Sequence, residues 1–247
     1  MTSPAADPLA PLLVLPGVAQ AVEEARAAVD EVHRHPANRH GWPTAAAEAS
    51  VRAARASAAL DGGSTELPDD GAVHDPVLAG ALRVAEALGQ LLGTWQRAPL
   101  QALARLHVLA AADLATDEQL GRPRARSAVS TRLDGLAHLI AGGSRVPGPV
   151  LVAVVHGELL TLAPFGTADG VVARAAARIT AIASGLDPKG LVVPEVAYLR
   201  REPEYRAAAE GFASGEPDGL ARWIVHGCSA IVSGAREARS IADAMAP

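Results

Sequence analysis

Apolar residues recur along this chain at spacings of three and four, the signature of helices that bury one face. From Gly17 to His33, Val18, Val22, Ala25, Val29 and Val32 share a face, and Glu23, Glu24, Arg26 and Asp30 fall mostly elsewhere. A connector with two prolines, His35 to Pro43, leads to a second, Ala-rich helix from Thr44 to Leu60. After a Gly/Pro-rich acidic loop, Asp61 to Pro76, Val77 to Leu92 repeats the pattern through Leu78, Leu82, Leu88 and Leu91. Pro99 suits the first turn of the next helix, whose stripe is Leu100, Leu103, Leu106 and Leu109. Ser130 to Ala141 reads as a short helix closed by Gly142 and Gly143. Gly148 to Leu162 is apolar nearly all round, which predicts a central buried helix. A non-helical loop, Ala163 to Gly170, separates it from a helix over Val171 to Ser184, ended by Gly185. Two more helices are expected around Glu195 to Ser214 and Gly219 to Met245. No strand pair stands out, although Gly121-Arg122-Pro123-Arg124 is read as the tip of a small β-hairpin flap. The expected fold is all-α, with an N-terminal helical extension over 1–43 and a helical domain over 44–247.

Composition narrows the function. Apolar residues make up 49% of the 247, ample for a core, but aromatics only 3%, so the core must rest on Leu, Val, Ile and Ala. A net charge of −5 leaves no basic excess to neutralise phosphates, which argues against a nucleic-acid partner. The single cysteine, Cys228, excludes an internal disulfide and reads as a small buried hydrophobe. Met1 to Pro16 is Pro-rich and expected to be partly disordered; Met1 to Pro11, with Asp7 and no cationic start, does not read as a signal peptide. No apolar run reaches the ~20 residues of a membrane span, so a cytoplasmic location is expected.

The candidate chemistry lies in the run from His156 to Arg174, around Ala163-Pro164-Phe165-Gly166-Thr167-Ala168-Asp169-Gly170-Val171-Val172-Ala173-Arg174. It resembles the core of Fic (Fido) domains, whose signature is H-P-F-x-[DE]-G-N-G-R-x-x-R between two buried helices. Pro164, Phe165, Gly170 and Arg174 match by position, and His156 matches a histidine often found on the preceding helix. The resemblance covers roughly Thr44 to Ala235. It implies a Fic-like helical bundle and a loop that feeds a helix N-terminus, where free N–H groups bind phosphate. In the family a histidine serves as base, a carboxylate holds Mg²⁺ on the nucleotide, and two arginines clamp the phosphates.

Several of those groups are replaced. Ala163 stands where the base belongs and Thr167 where the carboxylate belongs; Ala168 and Asp169 replace Gly-Asn, and Val171 replaces the first arginine. Losing a base alone costs about 10²–10⁴-fold. What survives is a scaffold (Ala163, Pro164, Phe165) and a candidate anion site at Gly170, Arg174 and Thr167. Asp169 is open to three readings: base, cation ligand, or cap of the helix that starts near Gly170.

A second segment, Ser57-Ala58-Ala59-Leu60-Asp61-Gly62, resembles the family's inhibitory helix, [ST]-x-x-x-E-[GN], placing it near 50–62. There the resemblance implies that Asp61, one methylene shorter than glutamate, pairs with Arg174. Leu103 to His107 resembles the helix before the flap, and Arg122 and Arg124 the flap's opening; Arg122, Arg124 and Arg126 form a candidate anion cluster. Tyr205, Gly215 and Trp223 fit the closing helices. His33, His35 and His40 invite a metal reading, but Arg34 and Arg39 beside them make it unattractive; no metal site is assigned. The function expected is a Fic-like pseudoenzyme that binds a protein partner or a nucleotide, the latter with Mg²⁺ as in the family, and self-associates into a homodimer as family members do. The alternative is a divergent transferase of nucleotidyl or phosphate groups, acting on a protein hydroxyl and restrained by the inhibitory helix.

Overall fold

The computed structural model describes residues 6–69 and 71–245. Ten α-helices carry the described fold: α1 Val18–Arg34, α2 Trp42–Leu60, α3 Pro76–Arg97, α4 Pro99–Ala111, α5 Ser127–His138, α6 Gly148–Leu162, α7 Asp169–Ala183, α8 Pro194–Arg200, α9 Glu202–Ala213 and α10 Pro217–Ala244. Seven of them carry Pro in the first turn, where its missing N–H costs nothing.

The core has two lobes. One gathers α1, α2, α8, α9 and α10, through Val18, Val22, Val29, Tyr198, Tyr205, Trp223 and Ile224. The other gathers α3, α4, α5 and α7, through Leu78, Trp95, Leu103, Leu106, Leu133 and Ile179. Helix α6 belongs to both, with Val150 and Ala153 in the first and Val155 and Leu159 in the second. That is the physical reason for its all-round apolar surface. Segment 1–43 reaches the core through α1, which lies along α10. No described helix is long and apolar enough to cross a membrane.

Four expectations need correction. Helix α3 runs on to Arg97 because Leu91, Leu92 and buried Trp95 continue its stripe. The helix expected over Glu195 to Ser214 is two, broken at Arg201. Pro203, in the first turn of α9, lacks the N–H that a continuous helix would need. No strand occurs among the described residues, so Gly121 to Arg126 is not a hairpin. Its main-chain bonds to the body run to α4 and to the loop after α6, with the Arg124 N–H donated to the carbonyl of Pro164 at 2.8 Å, and Pro123 has no N–H for a ladder. Within the Pro-rich start, Met1 to Ala5 lies outside the described residues, but Ala10–Val14 forms a 3₁₀ turn. Asp7 anchors that turn by accepting from the N–H of Leu9 (2.9 Å) and of Arg145 (2.5 Å).

Candidate functional site

The site sits where the C-terminus of α2 meets the loop between α6 and α7. Helix α6 ends at Ala163 in the left-handed region, φ 43°. Its last carbonyls, of Leu162 and Ala163, accept from the Arg124 guanidinium, a cation on the negative end of a helix. Arg124 is thereby a capping group, while Arg122 and Arg126 stay exposed. Phe165 is buried and stacks on His107 of α4, ring centroids 4.1 Å apart and 6° from parallel. His107 Nδ1 accepts the Gly121 N–H at 2.9 Å, so one ring fastens both the loop and the segment after α4.

Asp169 does not cap α7 forward. It closes the loop backward: Oδ1 accepts from Phe165 N–H (2.9 Å) and Oδ2 from Gly166 N–H (2.7 Å). Burial raises its pKa, and those two bonds work against the rise. Ala168, immediately before α7, is left-handed at φ 52°, a conformation that costs an L-residue about 1–2 kcal/mol. Thr167, just before Ala168, is half-buried.

The free end of α7 is met by Asp61. Its Oδ2 accepts from the N–H of Val171 at 3.0 Å, and its Oδ1 accepts from Arg174 Nη2 at 2.8 Å. A carboxylate therefore fills the place where this helix end and this arginine would take an anion. Gly170 permits the approach: a Cβ there would come within 2.8 Å of the Asp61 carboxyl carbon. Arg174 is 2% exposed, and each of its three guanidinium nitrogens has a protein partner. It also donates to Ser57 Oγ (2.8 Å), the Ser57 carbonyl (2.9 Å) and, weakly, the Tyr205 hydroxyl (3.5 Å). Burial pulls its pKa down, but Tyr205 and Asp61 outweigh that and leave it raised. Gly62, at φ 81°, ends α2 just past Asp61 and so sets where the carboxylate projects.

His156 belongs to the floor of the site. It is 1% exposed and its Nε2 lies 2.9 Å from the Tyr205 hydroxyl. Arg174 can only donate, so the Tyr205 oxygen accepts from it and gives its own proton to Nε2. Burial, reinforced by Arg174 and His226, pushes the pKa of His156 down to about 3, so the ring is neutral. Glu158 faces away and binds Arg132 bidentately, at 2.6 and 2.7 Å. His33 bonds Asp187 (2.8 Å) and His35 bonds Asp243 (3.1 Å), and no cluster of described residues could hold a metal. Burial pushes the Cys228 thiol up to about 12, consistent with an inert core residue. The loop suits Mg²⁺ poorly as well. It offers a Thr167 hydroxyl and an Asp169 whose two oxygens already hold backbone N–H groups, where the ion prefers free carboxylates.

No protein-family model matches the chain, and no curated protein matches it. A solved structure does: a Fic family protein from Desulfovibrio desulfuricans G20, with TM-score 0.75 and 18% identity, covering 95% of this chain and 77% of that one. The chain has a Fic-like fold. At that identity the likeness speaks for the fold alone. Within this Fic-like frame the motif residues Gly170 and Arg174 meet Ser57 and Asp61, 109 or more residues earlier in the chain, while Pro164 and Phe165 hold the loop to Arg124 and His107. Arg122 and Arg126 stay apart from that cluster, as does Arg124, which serves α6. Three buried groups behind Arg174 escaped the sequence reading: Arg178, Asp187 and Glu195. The signal for Arg178 was there, since it lies four residues after Arg174 on the same helical face.

Proposed function

We propose that this protein is a Fic-like pseudoenzyme: an anion-binding regulatory protein that does not perform ordinary AMP transfer and keeps its phosphate site closed with Asp61. The observation that carries the reading is the Asp61 carboxylate on both Val171 N–H and Arg174, the two donors a phosphate would use. Support also comes from what surrounds it. Ala163 offers no base and Val171 no second clamp. Asp169, the residue a divergent transferase would have to recruit, spends both oxygens on the loop's own backbone.

The ligand proposed is the phosphate moiety of a nucleotide, admitted when Asp61 withdraws, and the output is taken to pass through a protein partner or a second copy of this chain. The test is an AMP-transfer assay with ATP and Mg²⁺, following mass shifts on the protein itself and on added proteins. The proposal expects none, in the wild type or in Asp61→Gly. Robust transfer that Arg174→Ala abolishes would overturn it in favour of a restrained transferase. Native mass spectrometry of the purified protein reports any bound nucleotide and the stoichiometry of its assembly together.

A further inference from the structure

Beyond Arg174, one turn further along the same face of α7, lies a second polar centre. Arg178 is 7% exposed and donates to the backbone carbonyls of Val192 (2.8 Å) and Gly190 (2.5 Å). Asp187 accepts from His33, from Leu191 N–H (3.1 Å) and from Val192 N–H (2.8 Å), so its oxygens are satisfied. Glu195 is different. It is 3% exposed, and its Oε2 has no hydrogen-bond partner among the described residues. The nearest cation, Arg178 Nη1, stands 3.9 Å away, beyond hydrogen-bond length.

Two cavities open at this carboxylate. One, of about 30 Å³, is walled by Glu195, Arg178, Arg174, Asp187, Tyr198 and His156 among others. The other, of about 20 Å³, is walled by Ser57, Arg174, Arg178 and Glu195 together with apolar side chains of α2 and α3. Both therefore touch the same three charged residues. A buried water needs roughly 10–15 Å³ and two to four polar partners, and each cavity offers that. A buried carboxylate oxygen left with no partner is costly enough that native proteins seldom tolerate it. Neither space is large enough for a nucleotide, and no described cluster suits a metal.

We infer that these cavities are a built water site: ordered waters bound between the Glu195 carboxylate and the guanidiniums of Arg178 and Arg174, forming a hydrated ionic centre under α7. The waters span the gap that Arg178 leaves: Nη1 and Nη2 each give one N–H to Val192 and Gly190, and at 3.9 Å Nη1 stands too far from Glu195 Oε2 to bond it directly. Dry apolar cavities of similar size stay empty; the polar walls make the difference here.

A high-resolution crystal structure of the wild-type protein tests this directly. Expected is water density about 2.7–3.2 Å from Glu195 Oε2, with a further contact to Arg178 or Arg174. A dry cavity, with Glu195 bonded straight to Arg178, would overturn the inference. Glu195→Gln, which keeps an oxygen on the cavity, is expected to retain the peak, and Glu195→Met to lose it. A peak that survives unchanged in Glu195→Met would also count against it, because the site would then not depend on this carboxylate.

Discussion

Arg174 and Arg178 stand one turn apart on α7, both buried, and their partners differ in kind. Arg178 is fixed by two main-chain carbonyls, of Val192 and Gly190, which cannot leave while the fold stands. Arg174 is held partly by the side chain of Asp61, which is 25% exposed and sits at the end of a helix followed by a glycine-containing loop. A side chain can rotate away where a backbone carbonyl cannot. The pair thus separates a structural arginine from one whose partner is exchangeable, and on the proposed reading this is the feature that would let a ligand compete.

The largest effect should come from Arg178→Met. It orphans two buried carbonyls and removes the charge nearest Glu195, so we expect a loss of about 3–5 kcal/mol in chemical denaturation. Arg174→Met should cost clearly less, because Asp61 can turn to water. A loss for Arg174→Met equal to or above that for Arg178→Met would break the comparison.

Asp61→Gly comes next, at about 1–3 kcal/mol, since it leaves the buried Arg174 short of its carboxylate. Added pyrophosphate should restore that loss in thermal melts of the variant and leave the wild type nearly unmoved. Melting curves that respond equally in both proteins would mean that Asp61 does not guard the site.

The floor of the site makes a pH prediction. His156 keeps a pKa near 3, far under its ordinary 6.5. Between those values the unfolded chain takes up a proton that the folded chain refuses. Stability is therefore full above pH 6.5 and falls as pH drops, by about 1.4 kcal/mol per pH unit from this group. His156→Gln should flatten that slope in denaturation measured from pH 7.5 down to 5; an unchanged slope would show that the ring is protonated in the folded protein. The smallest effect should be a gain. Ala168→Gly relieves a left-handed alanine and should add about 0.5–1 kcal/mol, after allowing for glycine's extra freedom when unfolded.

Much of this was legible in the residues themselves. The periodic valines of α1 and leucines of α4 announced their buried faces, and the unbroken apolar surface of α6 announced a central buried helix. The motif order placed Asp61 and Arg174 as partners because a family resemblance carried information that spacing alone did not. What stayed hidden has a common cause. His33 meets Asp187 across 154 residues, and Glu195 reaches Arg178 only because the turn after α7 folds back. Such pairings are set by tertiary packing and leave no local pattern. The strain at Ala168 was masked differently: the family position is a glycine, but an alanine there looks innocuous until its φ is known. The break between α8 and α9 had a visible signal, Pro203, which an otherwise helical run obscured.

The central claim is that Asp61 occupies the anion site at the start of α7, and calorimetric titration of ATP into wild type and Asp61→Gly tests it most directly. Relief of the carboxylate should raise affinity at least about tenfold, the equivalent of 1.4 kcal/mol, with or without Mg²⁺, and Arg174→Ala in the same background should abolish the gain. Equal affinity in the two proteins would contradict the account.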